Sequence, residues 1–213
     1  MMESYQRRSP VSFTSRMAES VRRDGWEVAL RYHDEGKGPF LIDLSHRPKW
    51  DIQDADLSGI RPMGIPVSEV PGECIFQNGF LLNRMNQTQA ALWHLSGESP
   101  KMPREFLYTD VTDGYALLSV IGKEMFFIME KISASDLSSP TKKPPFLIQG
   151  PVSQVPCQIV VLGENEGYFG LLIACVRGYA QSMTEAILDS GVEWGLRPAG
   201  ENIFCNWLEP LSA

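Results

Sequence analysis

In the second half of this chain the apolar residues come in short, dense runs, and runs of that length are best buried as strands. Residues 115–121 read YALLSVI, residues 158–162 read QIVVL and residues 168–176 read YFGLLIACV. A strand covered on both faces loses the polar alternation of a half-exposed one, so a short β-branched run between turn formers marks a buried strand. Two stretches with helical spacing lie among these runs. Residues 123–132 place Phe126, Phe127, Met129 and Ile132 on one face. Residues 179–188 do the same with Met183, Ala186, Ile187 and Leu188, and Gly191 follows as a stop. Glu164-Asn165-Glu166-Gly167 reads as a turn, and residues 203–208 are expected to supply a last strand. The order is then β-α-β-β-α-β, the split βαβ or ferredoxin-like pattern, with helices on one face of an antiparallel sheet. Many unrelated activities use that pattern, so it settles no function.

The first half is mostly extended. Residues 1–24 form a polar arm, with one helical turn expected in 15–22. Residues 26–32 and 39–44 read as strands, and the turn formers of 33–38 (HDEGKG) between them suggest a β-hairpin. A short strand over 49–53 follows, then an irregular stretch, rich in Pro and Gly, over 54–71. Asn78-Gly79, flanked by 73–77 and 80–85, is the strongest hairpin signal in the chain, because both central turn positions need positive φ. Residues 89–95 continue as a strand and 96–104 as a loop. The expected class is α+β, with two strand-rich lobes over about residues 25–110 and 111–213.

Charge and composition narrow the partners. The net charge is −7 and the pI is near 5.0, which repels phosphate backbones and argues against nucleic acid. Arg22-Arg23 and Lys142-Lys143 are isolated basic pairs rather than a patch. No apolar run approaches the ~18 residues of a membrane helix, and residues 1–10 lack an apolar signal core, so a cytoplasmic protein is expected. The four cysteines, Cys74, Cys157, Cys175 and Cys205, are scattered in apolar stretches and read as buried free thiols. His33, His46 and His94 lie far apart, and no metal site is expected.

Four segments together resemble the glycine-cleavage T-protein family, the aminomethyltransferases. Asp43-Leu44-Ser45-His46-Arg47-Pro48-Lys49 is similar to that family's D-[VL]-S-H-M-G-K segment, and the following Trp50–Asp56 to its next short strand and turn. Residues 115–124 (YALLSVIGKE) resemble its strand-to-helix junction. Residues 187–200 (ILDSGVEWGLRPAG) resemble its "lleaGaefGLkPaG" segment. The likeness covers roughly residues 25 to 209. It implies a folate-binding-type domain of one-carbon metabolism, a tetrahydrofolate cofactor in a cleft between the lobes, and transfer of a one-carbon unit from an amine donor.

Residue by residue the resemblance is uneven. Asn78 and Gly79 stand where the family carries a pair of catalytic carboxylates, and an amide cannot stabilise a developing cation as a carboxylate can. Residues 201–209 replace a folate-clamping arginine run, and the chain ends where the family's C-terminal barrel would start, so no such barrel is expected. The chain is also similar in size to the γ subunit of heterotetrameric sarcosine oxidase, itself like a shortened T-protein, and Arg177-Gly178-Tyr179-Ala180 resembles that subunit's Arg-Ser-[FY]-Ala. This second likeness implies a non-catalytic subunit with a larger protein partner; a homo-oligomer is the other expectation. Candidate folate contacts are Asn78, Glu166, Tyr168 and Trp194; no catalytic residue is named. The plainer readings are a turn former for Asn78, a solvated turn for Glu166, and core or interface packing for Trp50, Trp93 and Trp194. Asp43 is read as satisfying loop amides and His46 as tying its own turn.

Overall fold

The computed structural model describes residues 6–212. The chain opens with a two-stranded ribbon, β1 (Met17–Arg23) and β2 (Trp26–Tyr32). It continues through β3 (Phe40–Asp43), β4 (Lys49–Gln53), β5 (Cys74–Gln77), β6 (Phe80–Arg84), β7 (Gln89–His94) and β8 (Tyr108–Asp110). The second half holds β9 (Tyr115–Gly122), α1 (Met125–Glu130), β10 (Phe146–Val152), β11 (Val155–Asn165), β12 (Tyr168–Val176), α2 (Ala180–Gly191), β13 (Arg197–Ala199) and α3 (Glu201–Leu208).

Two sheets form the body. One has six strands in the order β10-β11-β12-β9-β3-β13, antiparallel except for the β3–β13 pair. Without β3 and the edge strand β10, the order β11-β12-β9-β13 is that of the split βαβ unit. The other sheet has five antiparallel strands in the order β5-β6-β7-β4-β8. The class is α+β with strand-rich lobes, as expected. The boundary near residue 110 is crossed by β3, which comes from the first half yet pairs with β9 and β13.

The dense apolar runs are explained by what covers them. Ala116, Leu118, Val120, Ile159, Val161, Leu171 and Ile173 face α1 and α2, packing on Met125, Ile128, Met129, Met183 and Ile187. Their sequence neighbours Leu117, Ile121, Val160, Leu162, Leu172 and Ala174 face the five-stranded sheet, against Leu81, Met85, Ala91, Trp93 and Leu95. Successive strand residues point to opposite faces, so covering both faces makes every position apolar. Each fully buried Leu or Ile contributes roughly 1.5–3 kcal/mol. The far face of the five-stranded sheet, with Trp50, Ile52, Phe80, Leu82 and Leu92, is capped by Leu57, Ile65 and Val67 of the irregular stretch.

Several expectations need correction. The helical turn over 15–22 is strand β1, which folds back on β2 through Asp24-Gly25, both at positive φ (47° and 84°). That short turn captures β2, so the hairpin expected across 33–38 does not form, and β3 joins the six-stranded sheet instead. Residues 203–208 are not a strand: Phe204, Trp207 and Leu208 recur at helical spacing and bury one face of α3. The fourth strand of the split unit is β13. The edge strand β10 and the short β8 carry no clear sequence signal. Of the described residues, no helix is long and apolar enough to cross a membrane, and no three His, Cys, Asp or Glu side chains cluster to hold a metal.

Candidate functional site

The segment leaving β3 is the link between the two sheets, and its turn is built from side chains. Asp43 Oδ1 accepts the Ser45 N–H at 2.9 Å and Oδ2 accepts the Ser9 hydroxyl. Ser45 Oγ accepts the Leu117 N–H at 3.2 Å, while the Arg47 N–H reaches back to the Leu44 carbonyl at 2.9 Å. The chain therefore turns sharply into β4 with His46 and Arg47 pointing toward α3. Gly200 just before α3 meets the β2 backbone: a Cβ there would stand 2.2 Å from the Leu30 carbonyl oxygen, so only glycine fits. That close approach fixes Glu201, in the first turn of α3, beneath the ribbon.

Glu201 is almost wholly buried, with its side chain 1% exposed, and it gathers three partners. His46 Nε2 lies 2.8 Å from Oε1, Arg47 pairs with the same oxygen, and Arg23 approaches Oε2 at 2.5 Å. Burial alone would raise this carboxyl, but the His46 hydrogen bond and the two guanidiniums hold it near 2. Burial drives the His46 ring toward its neutral form, against the pull of Glu201. A carboxylate only accepts, so the neutral ring donates Nε2–H and keeps a lone pair on Nδ1. Next door Lys49 is buried and donates to the Ser45 and Arg47 carbonyls at 2.9 and 2.8 Å. Burial brings its ammonium down to about 7 despite the field of Asp43.

His46 lines two spaces. The inner one is a cavity of about 50 Å3 shared with Ser9, Trp26, Tyr32 and Asp43. Trp26 is 1% exposed and its Nε1–H finds no partner among the described residues. The outer one is a cleft of about 260 Å3 with Arg7, Asp24, Trp50, Asp110 and Thr112 on its walls. This arrangement can hold a small polar molecule and accept a proton at His46. The two acids nearest His46, Asp43 and Glu201, are both engaged in internal contacts, while Asp24 and Asp110 lie on the wall of the outer cleft.

The four residues named as folate contacts are not brought together. Asn78 sits at the β5–β6 tip with φ 53°, an ordinary type I′ turn position beside Gly79. Glu166 is exposed in the β11–β12 turn, where Glu164 rather than Glu166 accepts the Gly167 N–H. Tyr168 packs toward the layer between the sheets, with Lys123 Nζ 5.3 Å from its ring centroid. Trp194 is on the opposite side, against the helices, stacked on Phe127 and capped by Lys131 Nζ at 4.2 Å. None of the clefts described here is lined by any of the four. Apolar side chains from both sheets pack together in the layer between them.

Among the plainer readings, Asp43 does satisfy a loop amide, and Trp50 and Trp93 are core. His46 differs: its ring reaches α3 rather than its own turn. No local sequence pattern marks Glu201 or Trp26 as site residues, and Arg47 stands out only as part of the 43–49 segment. Gly200-Glu201, a glycine followed by an acid, signals only where a helix could start, and residues 203–208 read as a strand hid it. Asn83 carried no signal at all. It is wholly buried in β6 and neither amide atom has a partner among the described residues.

No family model matches the chain, and no curated protein sequence matches it. Among solved structures, a chain of the heterotetrameric sarcosine oxidase from Corynebacterium sp. U-96, in complex with pyrrole 2-carboxylate, is similar, with a TM-score of 0.60. The match covers 72% of this chain and 84% of that one at 12% identity. Identity that low speaks to architecture alone, and the architecture is sarcosine-oxidase-like.

Proposed function

We propose that this chain is a structural subunit of a heteromeric amine-oxidising complex, built on a folate-binding-type scaffold, with the chemistry carried by a partner chain. The observation that carries this reading is the fold shared with a chain of a heterotetrameric sarcosine oxidase. Three features support it. An asparagine stands in the turn where the T-protein resemblance implies carboxylates. The acids nearest His46 are spent in internal contacts. Large apolar side chains, among them Phe127, Val176, Tyr179 and Val192, are exposed and would be available to a partner.

Tetrahydrofolate is the ligand the resemblance implies, and transfer of a one-carbon unit is the activity. Both serve here as the contrary outcome of a test. The purified chain is titrated calorimetrically with 5,6,7,8-tetrahydrofolate and assayed for aminomethyl transfer. The subunit reading expects no saturable heat at high micromolar ligand and no turnover. Saturable binding with turnover by the chain alone would replace it with the transferase reading.

A further inference from the structure

Cys157 on β11 and Cys175 on β12 are direct partners in the antiparallel ladder. Both are free, and both face the helix layer of the six-stranded sheet. Directly opposed residues in such a ladder have Cα atoms about 4.5 or 5.5 Å apart, depending on ladder position, and a disulfide spans about 4.4–6.8 Å. The two strands therefore already hold the separation a bridge needs. Access differs between the two thiols. Cys175 is fully buried, whereas Cys157 keeps 6% of its surface exposed. Cys74, by contrast, faces Asn83 in its own ladder, and Cys205 contacts Arg47.

We propose that Cys157 and Cys175 are a redox-sensitive cross-strand pair, which a hydroperoxide closes into a disulfide that staples β11 to β12. The step balances in two stages. The Cys157 sulfur attacks one peroxide oxygen, the O–O bond breaks, and a sulfenic acid and one water result. The Cys175 sulfur then displaces the hydroxyl: the S–S bond forms, the S–O bond breaks, and a second water leaves. Overall the thiols lose two electrons and two protons, and the peroxide is reduced to two waters. Apolar burial pushes the thiols up to about 12 at Cys157 and about 11 at Cys175, so closure is slow at neutrality and faster in alkali.

The test treats the folded chain with hydrogen peroxide at pH 7 and pH 9, alkylates residual thiols on unfolding, and maps cross-links by peptide mass spectrometry. The expected product is a Cys157–Cys175 link that forms faster at pH 9, raises the thermal midpoint by several degrees, and is reversed by dithiothreitol. Cys175→Ala removes it. A variant combining Cys74→Ala with Cys205→Ala, which keeps only the proposed pair, forms it unchanged. Over-oxidation of Cys157 without a link, links through Cys74 or Cys205 only, or intact thiols in that double variant would each overturn the proposal.

Discussion

Glu201 shows how a single side chain can hold two parts of a fold at once. It binds the ribbon through Arg23 and the inter-sheet turn through His46 and Arg47, while burial makes each of those contacts hard to replace. Removing one partner of a buried charge cluster leaves the others uncompensated, so Glu201→Gln is expected to cost about 3–5 kcal/mol in urea unfolding. A loss under about 1 kcal/mol, the range of an exposed pair, would contradict the cluster's role. Asn83 makes the opposite case. An unpaired buried amide costs about 1–3 kcal/mol, so Asn83→Leu should leave stability unchanged or raise it by about 1 kcal/mol. A clear loss would mean that the amide has a partner. Lys49 supplies a pH signature. A free lysine holds its proton to about pH 10.4, whereas Lys49 releases it near 7. Between those values the unfolded chain binds the extra proton, so Lys49 makes stability rise with pH across that window. Urea midpoints at pH 6.5 and pH 9.5 should rise for the parent relative to Lys49→Met; parallel pH profiles would refute the shift. Asp43 and His46 were legible as a motif, but their partners Ser9 and Glu201 lie 34 and 155 positions away, and no local pattern joins them.

Elements whose signal is local were read well from the chain. The Asn78-Gly79 hairpin forms where it was expected because the turn itself demands positive φ at both positions. Its second residue is also pressed against neighbouring chain: a Cβ on Gly79 would stand 2.4 Å from the Ser96 carbonyl oxygen. Gly79→Ala should therefore cost about 1–3 kcal/mol in thermal or urea unfolding, more than a turn in open solvent would lose. A change within about 0.5 kcal/mol would mean that the tip relaxes freely. Strands β4 and β12 match the expected bounds: β12 is an apolar run between turns, and β4 alternates polar residues with Trp50 and Ile52. Elements that depend on distant partners are not legible from their own residues. β1 is polar and reads as an arm until β2 is there to pair with it. α3 is short, and its Ile203, Phe204 and Trp207 suit a strand as well as a helix until Glu201 is anchored by the ribbon and the inter-sheet turn.

At the scale of the molecule, the feature that matters is the face-to-face packing of two sheets, with β3 carried from the first half into the sheet of the second. The α+β class was legible because it follows from the succession of runs. The apolar contact between the two sheets was not, because a cleft and a packed interface use the same apolar residues. The fold shared with a chain of a heterotetrameric oxidase, beside the wide separation of Asn78, Glu166, Tyr168 and Trp194, is why a structural role in a larger assembly is proposed. The most direct test is the native mass and amine-oxidising activity of the tagged protein purified from its own cells under non-denaturing conditions. The account predicts elution well above the 23.9 kDa of one chain, together with amine-dependent oxygen uptake in the same fraction. A monodisperse species at 23.9 kDa, with no amine-oxidising chain beside it, would contradict it.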